Sequence, residues 1–211
     1  DWYFDKYKVR PLVVRNMPRL KTSGVKVKTR EELNLPSNKK IVILQGAGIN
    51  IDRGSEELVM AMKYLENVLL LIVGSGDVIP KLKEIIATEK LQEKVILTGK
   101  VPYEILAGYT SVADLGVTLD KPTNINYRLS LPNKIFDYIH AGVPVLASDL
   151  PEVTKIVREH NVGLIVTSFD PEEIAASISQ AFTSTEYAKW KLNTISAATS
   201  LSWENEELIL R

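Results

Sequence analysis

Six short apolar runs alternate with segments of helical periodicity through the middle of this chain. The runs cover residues 41–44, 68–73, 95–98, 115–119, 143–147 and 163–166. The helical segments cover residues 55–65, 78–89, 103–112, 132–141, 151–159 and 171–182. Because each connection is long enough for a crossover helix, the strands are expected to be parallel, with right-handed crossovers and helices on both faces. The alternation predicts a doubly wound, mostly parallel six-stranded α/β domain with a Rossmann-like sheet.

Two flanks lie outside this alternation. Residues 7–14 have the composition of a strand from elsewhere, and residues 21–40 form a polar, lysine-rich connector. Residues 184–196 and 203–211 predict two helices separated by a break rich in Ser and Thr. The helices have two interpretations of equal weight: a cap packed on the domain, or a strap that returns to a missing domain.

Composition limits the chemistry that the chain can perform. The 211 residues include 26 basic and 26 acidic residues, so no overall field favours nucleic acid or an anionic membrane, and any phosphate must be bound locally. With no Cys and two His, disulfides and thiolate metal sites are excluded. The longest apolar run, residues 67–73, is too short to span a bilayer, and the start resembles no signal peptide. We therefore expect a cytoplasmic protein, and the start in mid-fold without Met predicts an excised piece of a larger one.

One predicted helix carries a single acidic side chain between a polar loop and a buried strand. Pro132 suits the first helical position, apolar residues follow at helical spacing, and Gly142 suits the stop. Asp137 lies on this helix, which leads into residues 143–147. These residues predict a strand, and the proline among them favours either a position in the first residues of that strand or an edge strand. Taken alone, Asp137 is most simply a solvated or paired acid. In this setting it can also bind a ribose.

Loops that leave the strands matter most, because ligands of open α/β sheets bind beyond the carboxyl ends of the strands. The first such loop contains Gly46 and Gly48 and ends in Arg53, just before a helix. Glycines let backbone approach an anion, and a guanidinium near a helix N-terminus favours a pyrophosphate. The spacing fits neither a Rossmann fingerprint nor a P-loop. The glycines could therefore simply form a tight turn, and Arg53 could equally be a surface residue.

Three further loops complete the set. The turn that begins at Gly74 is predicted to be mainly structural, and Asp77 is predicted to be the N-cap of the helix that follows it. After the third strand, Gly99 permits close approach and Val101 offers a flat apolar contact for a base. The fourth strand leads into residues 120–131, a polar loop long enough to indicate function or mobility.

The order of these elements resembles the C-terminal, nucleotide-sugar-binding domain of GT-B glycosyltransferases of the family-four type. Four matches carry the resemblance, at residues 46–54, 71–76, 97–101 and 132–148. It covers residues 38–182, and the acid followed by Gly and Pro-Val is its most specific part. Residues 202–204 resemble the closing segment of the family, and residues 8–18 the last strand and hinge of the preceding acceptor domain. The resemblance therefore implies three parts of the chain. Residues 1–20 are the end of the preceding acceptor domain and the hinge, residues 21–182 are the donor-binding domain, and residues 183–211 are helices that pack back toward the N-terminal domain.

The resemblance implies roles for individual residues. Asp137 matches the second glutamate of the family's paired acids, which binds the ribose hydroxyls, although Asp shortens the arm by one methylene. Arg53 matches the residue that pairs with the diphosphate and is one of two catalytic candidates, with Lys134. The implied donor-binding set is Gly46, Gly48, Arg53, Gly74, Gly99, Val101, Asn126, Tyr127, Ser130, Leu131 and Asp137, with the amides of Ser130 and Leu131 near phosphate and sugar. No metal or cofactor is implied.

The chain also departs from the family pattern. Position 129, eight residues before the second acid, holds Leu129, so the first glutamate, which contacts the donor sugar, is missing. Asn126 or Tyr127 is a candidate substitute for it. Ala47 stands where the family often has Arg after the first glycine, and Lys134 is a candidate for the missing cation.

The implied function is donor binding within a retaining glycosyltransferase of the hexosyltransferase type. It would use UDP-sugar or GDP-sugar and act on a glycan, lipid-linked or polysaccharide precursor. The acceptor would bind to the missing N-terminal domain, so this piece alone is expected to be inactive, and peripheral membrane association of the full-length protein stays open. Two alternatives remain: an epimerase lobe, for which His140 and His160 are the available histidines, and a degenerate non-catalytic nucleotide-binding module. A phosphoacceptor receiver is excluded because Gln45 and Gly46 stand where its acidic pair would be.

Overall fold

The computed structural model describes residues 2–20 and 28–211, and its centre is a single sheet. The strands are β1 (Lys40–Gly46), β2 (Val68–Gly74), β3 (Val95–Gly99), β4 (Leu115–Thr118), β5 (Val145–Ser148) and β6 (Gly163–Val166). They lie in the order β3-β2-β1-β4-β5-β6, and every neighbouring pair is parallel. The predicted doubly wound, six-stranded parallel sheet is confirmed.

Helices connect and flank the strands. They are α1 (Trp2–Tyr7), α2 (Ser55–Ala61), α3 (Ile79–Thr88), α4 (Tyr103–Ser111), α5 (Ile125–Arg128), α6 (Lys134–His140), α7 (Pro151–His160), α8 (Pro171–Thr183), α9 (Tyr187–Ser200) and α10 (Trp203–Glu206). Short 3-10 helices follow α2 at Met62–Tyr64 and α10 at Glu207–Leu210. The six predicted helices that alternate with or follow the strands are therefore present, and the sequence did not indicate α1 or α5.

The core has two halves, one on each face of the sheet. In β1, Val42 and Leu44 belong to the half under α2, α3 and α8, whereas Ile41 and Ile43 belong to the half under α4, α6 and α7. All four are buried, so both sides of the strand are covered. Burying such a side chain stabilises the fold by about 1.5–3 kcal/mol. This two-sided burial explains why the strands are continuous apolar runs rather than alternating ones.

The helix that carries Asp137 begins later than the sequence predicts. Its first residue is Lys134, and Pro132 lies two residues ahead of it, where its carbonyl accepts a hydrogen bond from the Ile135 amide at 3.1 Å. Gly142, at φ 76°, ends the helix as predicted, because it adopts the left-handed conformation that other residues avoid. Pro144 precedes β5, which is an interior strand, so the edge alternative for that strand is wrong.

The predicted strand at residues 7–14 is wrong: α1 ends at Tyr7, and no strand follows it in the described part of the chain before β1. The apolar side chains there are exposed, with Leu12 at 81%, and no neighbouring strand is available to pair with this segment. Of the predicted connector, residues 21–27 lie outside the described residues. The assignment of residues 1–20 to a preceding domain stays a prediction.

The C-terminal helices pack on the domain and hold the front segment. In α9, Trp190, Thr194 and Ala197 are buried, as expected of a cap. The Trp203 amide donates to the Pro18 carbonyl at 2.9 Å, and Glu206 accepts from the Arg15 amide at 2.7 Å. Residues 15–18 are thereby fixed beside the sheet. Among the described residues, no helix has the length and apolar character needed to cross a membrane.

Candidate functional site

The candidate site lies where the strand order reverses. The chain runs outward from β1 through β2 to β3 on one side, and from β4 through β5 to β6 on the other. The connections that leave β1 and β4 therefore diverge, and a crevice opens between them at the carboxyl ends of the strands. A cleft of about 550 Å³ occupies this position. Its walls are Asn16, Met17, Pro18, Gln45, Gly46, Ala47, Gly48, Arg53, Tyr103, Leu106, Pro132, Asn133, Lys134 and Asp137.

The glycine loop after β1 forms one wall of the cleft through Gly46 and Gly48, as predicted. It is braced by the turn after β2, where a Cβ at Gly74 would meet the Gly46 carbonyl oxygen at 1.8 Å. The two loops can approach this closely only without that side chain, which supports the structural interpretation of Gly74. Asp77 does not cap α3, whose N-cap is Val78; its Oδ1 accepts from the Ile51 amide at 3.1 Å and so ties the two loops together.

Arg53 reaches the cleft as part of a buried charge cluster. Its Nη1 lies 2.5 Å from Oδ2 of Asp120, and its guanidinium stacks over the Tyr127 ring at 4.3 Å. Lys134 Nζ lies 4.0 Å from the other carboxylate oxygen, Oδ1. Arg53 and Lys134 were both predicted as site residues, whereas the acid between them was not. A signal was present, since Asp120 is the first charged residue after the buried strand β4.

The electrostatics of Lys134 follow from this arrangement. The pKa of Lys134 is lowered, mainly by burial and also by the neighbouring Arg53 guanidinium, and the Asp120 carboxylate opposes this shift. The Lys134 side chain is 12% exposed and lines the cleft. Arg53 and Lys134 therefore lie side by side around Asp120 on one wall of the cleft.

Asp137 lies in the same cleft and is held by neighbouring polar groups. Gln45 Nε2 donates to Oδ2 of Asp137 at 3.0 Å, and the Tyr103 hydroxyl lies 3.4 Å from Oδ1. Gln45 is 1% exposed, and its Oε1 accepts from the Thr110 hydroxyl at 2.6 Å. Partial burial, followed by the charge of Asp137, raises the pKa of Tyr103. The neighbours of Asp137 in α6, Phe136 and Tyr138 among them, are buried, so the helix is fixed in rotation.

Two smaller cavities adjoin the cleft and share Tyr103 and Leu106 with it. One, of about 340 Å³, is lined by Val73, Gly74, Lys100, Val101 and Pro102 together with residues of the glycine loop, and it includes the predicted base contact Val101. Gly99 is not among its lining residues; a Cβ there would meet no protein atom within 4 Å, and its positive φ of 73° suits a turn. The other cavity, about 290 Å³, lies between α4 and α6 and reaches His140.

The predicted phosphate loop is only partly at the cleft. Tyr127 lies in α5 under Arg53, whereas Asn126 is exposed and is not among the cleft residues. The Ser130 amide donates to the Tyr127 carbonyl at 3.2 Å, and Leu131 packs against the core. Neither residue is among those that line the cleft, where the nearest positions of this loop are 132–134, so their predicted phosphate contact stays a prediction.

The remaining candidates contribute little to the site. His140 Nε2 lies 2.7 Å from the Leu201 carbonyl oxygen, which ties α6 to the C-terminal segment, and His160 ends α7. Neither histidine lines the main cleft, where an epimerase would need an acid or base. Leu129 is 39% exposed at the end of α5. Within residues 2–20 and 28–211, no group of three or more metal-binding side chains is clustered.

Comparisons with known proteins agree with this architecture. The chitobiosyldiphosphodolichol beta-mannosyltransferase of Candida albicans is 27% identical over 151 residues, which cover 67% of this chain and 32% of that protein. The sucrose-phosphate synthase structure from Thermosynechococcus elongatus has a TM-score of 0.75 at 22% identity, covering 99% of this chain and 54% of that one. The Anabaena protein HepE in complex with UDP has a TM-score of 0.76 at 18% identity, covering 93% and 56%.

The structural matches confirm the Rossmann-like fold of one GT-B half. This chain spans about a third of the curated relative and just over half of the two solved structures. Residues 40–184 match the family model described as glycosyl transferases group 1. Since that match covers more than half of the chain, the protein belongs to the glycosyl transferases group 1 family.

Proposed function

We propose that this chain holds the nucleoside-diphosphate-sugar donor of a hexosyltransferase. The observation that carries the proposal is the distribution of charge in the cleft, with Arg53 and Lys134 on one wall and Asp137 sharing the same space. A nucleoside diphosphate needs cations for its phosphates and an acceptor for its ribose hydroxyls. The cleft offers both at the switch point of the sheet, where ligands of such folds bind.

Each side chain has a chemical task in this proposal. The Asp137 carboxylate accepts hydrogen bonds from the ribose hydroxyls, and the cavity beside Val101 receives the base. When the bond between the sugar and the diphosphate breaks, the electron pair leaves with the phosphate oxygen. Arg53 and Lys134 then stabilise the transition state more than the ground state, because the negative charge on the leaving group is larger there.

Relatives support the proposal through what their names state. One solved neighbour was crystallised with UDP, and the Candida albicans relative is a mannosyltransferase. We propose transfer with retention of the anomeric configuration, by analogy with the resemblance drawn from the sequence, to a glycan, lipid-linked or polysaccharide precursor. An NMR assignment of the anomeric proton in the first product of the full-length protein tests the stereochemistry, since an inverted product would contradict it.

The test of donor binding is calorimetric titration of this chain and of the full-length protein with UDP and GDP. Because the cleft supplies two basic side chains for the phosphates, binding of one nucleotide is expected to persist in EDTA. Asp137→Ala and Arg53→Ala should each weaken it about tenfold or more, as each removes a hydrogen bond to or from a charged group. Arg158→Ala, on the exposed side of α7, is the control and should bind like the wild type. Failure of both folded proteins to bind either nucleotide would contradict the proposal.

A second candidate function is a non-catalytic nucleotide-binding module. Leu129 favours it, since this apolar residue stands where the family resemblance places a sugar-contacting glutamate. Both candidates bind nucleotide, so turnover separates them. If the full-length protein binds UDP or GDP but does not hydrolyse or transfer any UDP-hexose or GDP-hexose, the module is the better description.

A further inference from the structure

Asp120 differs from the other charged residues of the site because its carboxylate is completely buried. It is 0% exposed and does not line the cleft, so it lies behind the two cations that do. Arg53 contacts Oδ2 at 2.5 Å and Lys134 lies 4.0 Å from Oδ1. Arg53 and Lys134 therefore lie next to the cleft, and the Asp120 carboxylate lies deeper in the protein behind them.

The hydrogen bonding of this cluster is incomplete. Within the described part of the chain, Oδ1 of Asp120 has no donor and Nε of Arg53 has no acceptor. Unsatisfied buried groups are costly, and a cluster that served stability alone would be expected to satisfy them. Among the described residues, the hydrogen bond from Arg53 Nη1 to Oδ2 is the one that joins the side chains of this cluster.

Without Asp120, the positive charges of Arg53 and Lys134 would repel each other. Arg53, ahead of α2, and Lys134, at the start of α6, face the same carboxylate, and Asp137 is the other charged group of α6 that lines the cleft. Burial and the neighbouring guanidinium both favour the neutral amine of Lys134, and Asp120 is the group that opposes them. A neutral Lys134 would leave one charge, rather than two, on the wall of the cleft.

We infer that Asp120 is a positioning residue that holds Arg53 and Lys134 side by side as cations, so that together they present two positive charges to the diphosphate. The inference rests on the proposed function, because it concerns the same cleft. It assigns a role to a residue that does not touch the ligand. It also gives Lys134 its charge through a buried partner rather than through solvent.

The test uses Asp120→Asn, which keeps the shape of the side chain and removes its charge. The dissociation constant of UDP, GDP and inorganic pyrophosphate is measured from about pH 7 to about pH 10, approaching the ordinary lysine pKa of about 10.4. We expect the dissociation constant of the variant to rise above that of the wild type as pH rises. At the alkaline end the variant should bind about tenfold more weakly, because one charged phosphate contact is lost there. Asp114→Asn, at the other end of β4, is the matched control and should follow the wild type.

A rescue experiment separates this role from a purely structural one. Arg stays protonated throughout this range, so Asp120→Asn combined with Lys134→Arg should bind with a flat pH profile. If Asp120→Asn weakens binding by the same factor at every pH, and the second substitution changes nothing, Asp120 only supports the fold and the inference is overturned.

A direct measurement needs no ligand and follows the titration in the wild-type protein. With lysine labelled with ¹³C at Cε, NMR follows the titration of Lys134, assigned by its loss in Lys134→Arg. In the wild type, Lys134 should be protonated at neutral pH; a neutral amine there would overturn the inference. This result stands apart from the proposed function, because a protein that binds no nucleotide can still show a charged Lys134.

Discussion

Strand β4 has an acid between two cations at each end, and the two ends are built differently. At the amino end, Asp114 lies 2.7 Å from Arg30 and 3.6 Å from Lys40. At the carboxyl end, Asp120 lies between Arg53 and Lys134. The charges are the same. What differs is how many hydrogen bonds each cluster makes, and what lies next to it.

The amino-end cluster is saturated. Arg30 donates to the carbonyls of Val112 and Lys39 as well as to Asp114, and the Asp114 carboxylate also accepts from the Ile41 amide at 2.8 Å. These bonds join the start of β1 to the start of β4. The carboxyl-end cluster has one such bond and borders the cleft. We therefore expect the saturated cluster to stabilise the sheet, and we expect the unsaturated one to leave its cations available to the proposed ligand.

The largest effect should come from breaking the saturated cluster. Asp114→Ala leaves the partly buried Arg30 without its charged partner, and we expect it to lower the free energy of unfolding by about 3 kcal/mol. Urea denaturation followed by circular dichroism measures the loss. Nucleotide affinity of the folded variant should stay at the wild-type value. A variant as stable as the wild type would remove the distinction between the two ends.

The same substitution made at both ends sharpens the comparison. Arg30→Lys removes several hydrogen bonds to backbone carbonyls and should cost about 2 kcal/mol of unfolding free energy, at about 1 kcal/mol for each bond lost. Arg53→Lys keeps the charge but loses the planar fork, so it should weaken nucleotide binding about tenfold and leave stability nearly unchanged. Denaturation and calorimetry on both variants measure these effects. Lower stability in Arg53→Lys together with weaker binding in Arg30→Lys would contradict the comparison.

Tyr127 gives a smaller effect confined to the carboxyl end. Its ring lies under the Arg53 guanidinium at 4.3 Å, and such a contact contributes about 1 kcal/mol. Tyr127→Leu should therefore weaken nucleotide binding several-fold, because Arg53 is held less firmly. Tyr127→Phe keeps the ring and is the control. Equal binding by both variants in the same titration would show that the stacking does not orient Arg53.

The smallest effect concerns the amino end at alkaline pH. The Tyr187 hydroxyl donates to the Asp114 carbonyl at 2.8 Å, and burial, with the charge of Asp114, raises its pKa to about 12. A raised tyrosine pKa stabilises the fold fully below pH 10, and this contribution is lost as pH rises toward 12. Tyr187→Phe should cost less than about 1 kcal/mol at neutral pH and lose less stability than the wild type above pH 10. Parallel pH profiles of unfolding for the two proteins would contradict this.

Much of the fold was predictable because its signal is local. The strands are apolar on both faces, so a run such as 68–73 indicates a buried parallel strand without knowledge of its neighbours. The front segment was not predictable in the same way. Residues 7–14 have strand-like composition, but a strand forms only where a partner strand is available, and none lies beside them among the described residues.

The candidate site was predictable only in part. Asp137 and Arg53 could be located because glycines, prolines and family-like spacing surround them. Asp120 and Thr110 carry no comparable signal, and each looks like an ordinary polar residue after a strand or in a helix; Gln45 lies next to the glycine loop, but its bond to Asp137 joins residues that are distant in the chain. Ser130 and Leu131 were assigned by position along the chain, whereas the short helix α5 and the core decide where their groups point.

The amino-acid sequence by itself therefore determined the layers of this protein, the parallel sheet and the edge of the sheet at which the candidate site lies, because burial patterns and loop composition act over a few neighbouring residues. Tertiary structure alone decided which charges meet. Arg53 and Asp120 are 67 positions apart in the chain, and their contact depends on β1 and β4 being neighbours in the sheet. The physical reason is that a carboxylate acquires its role from the burial and the cations around it, and packing places those side by side.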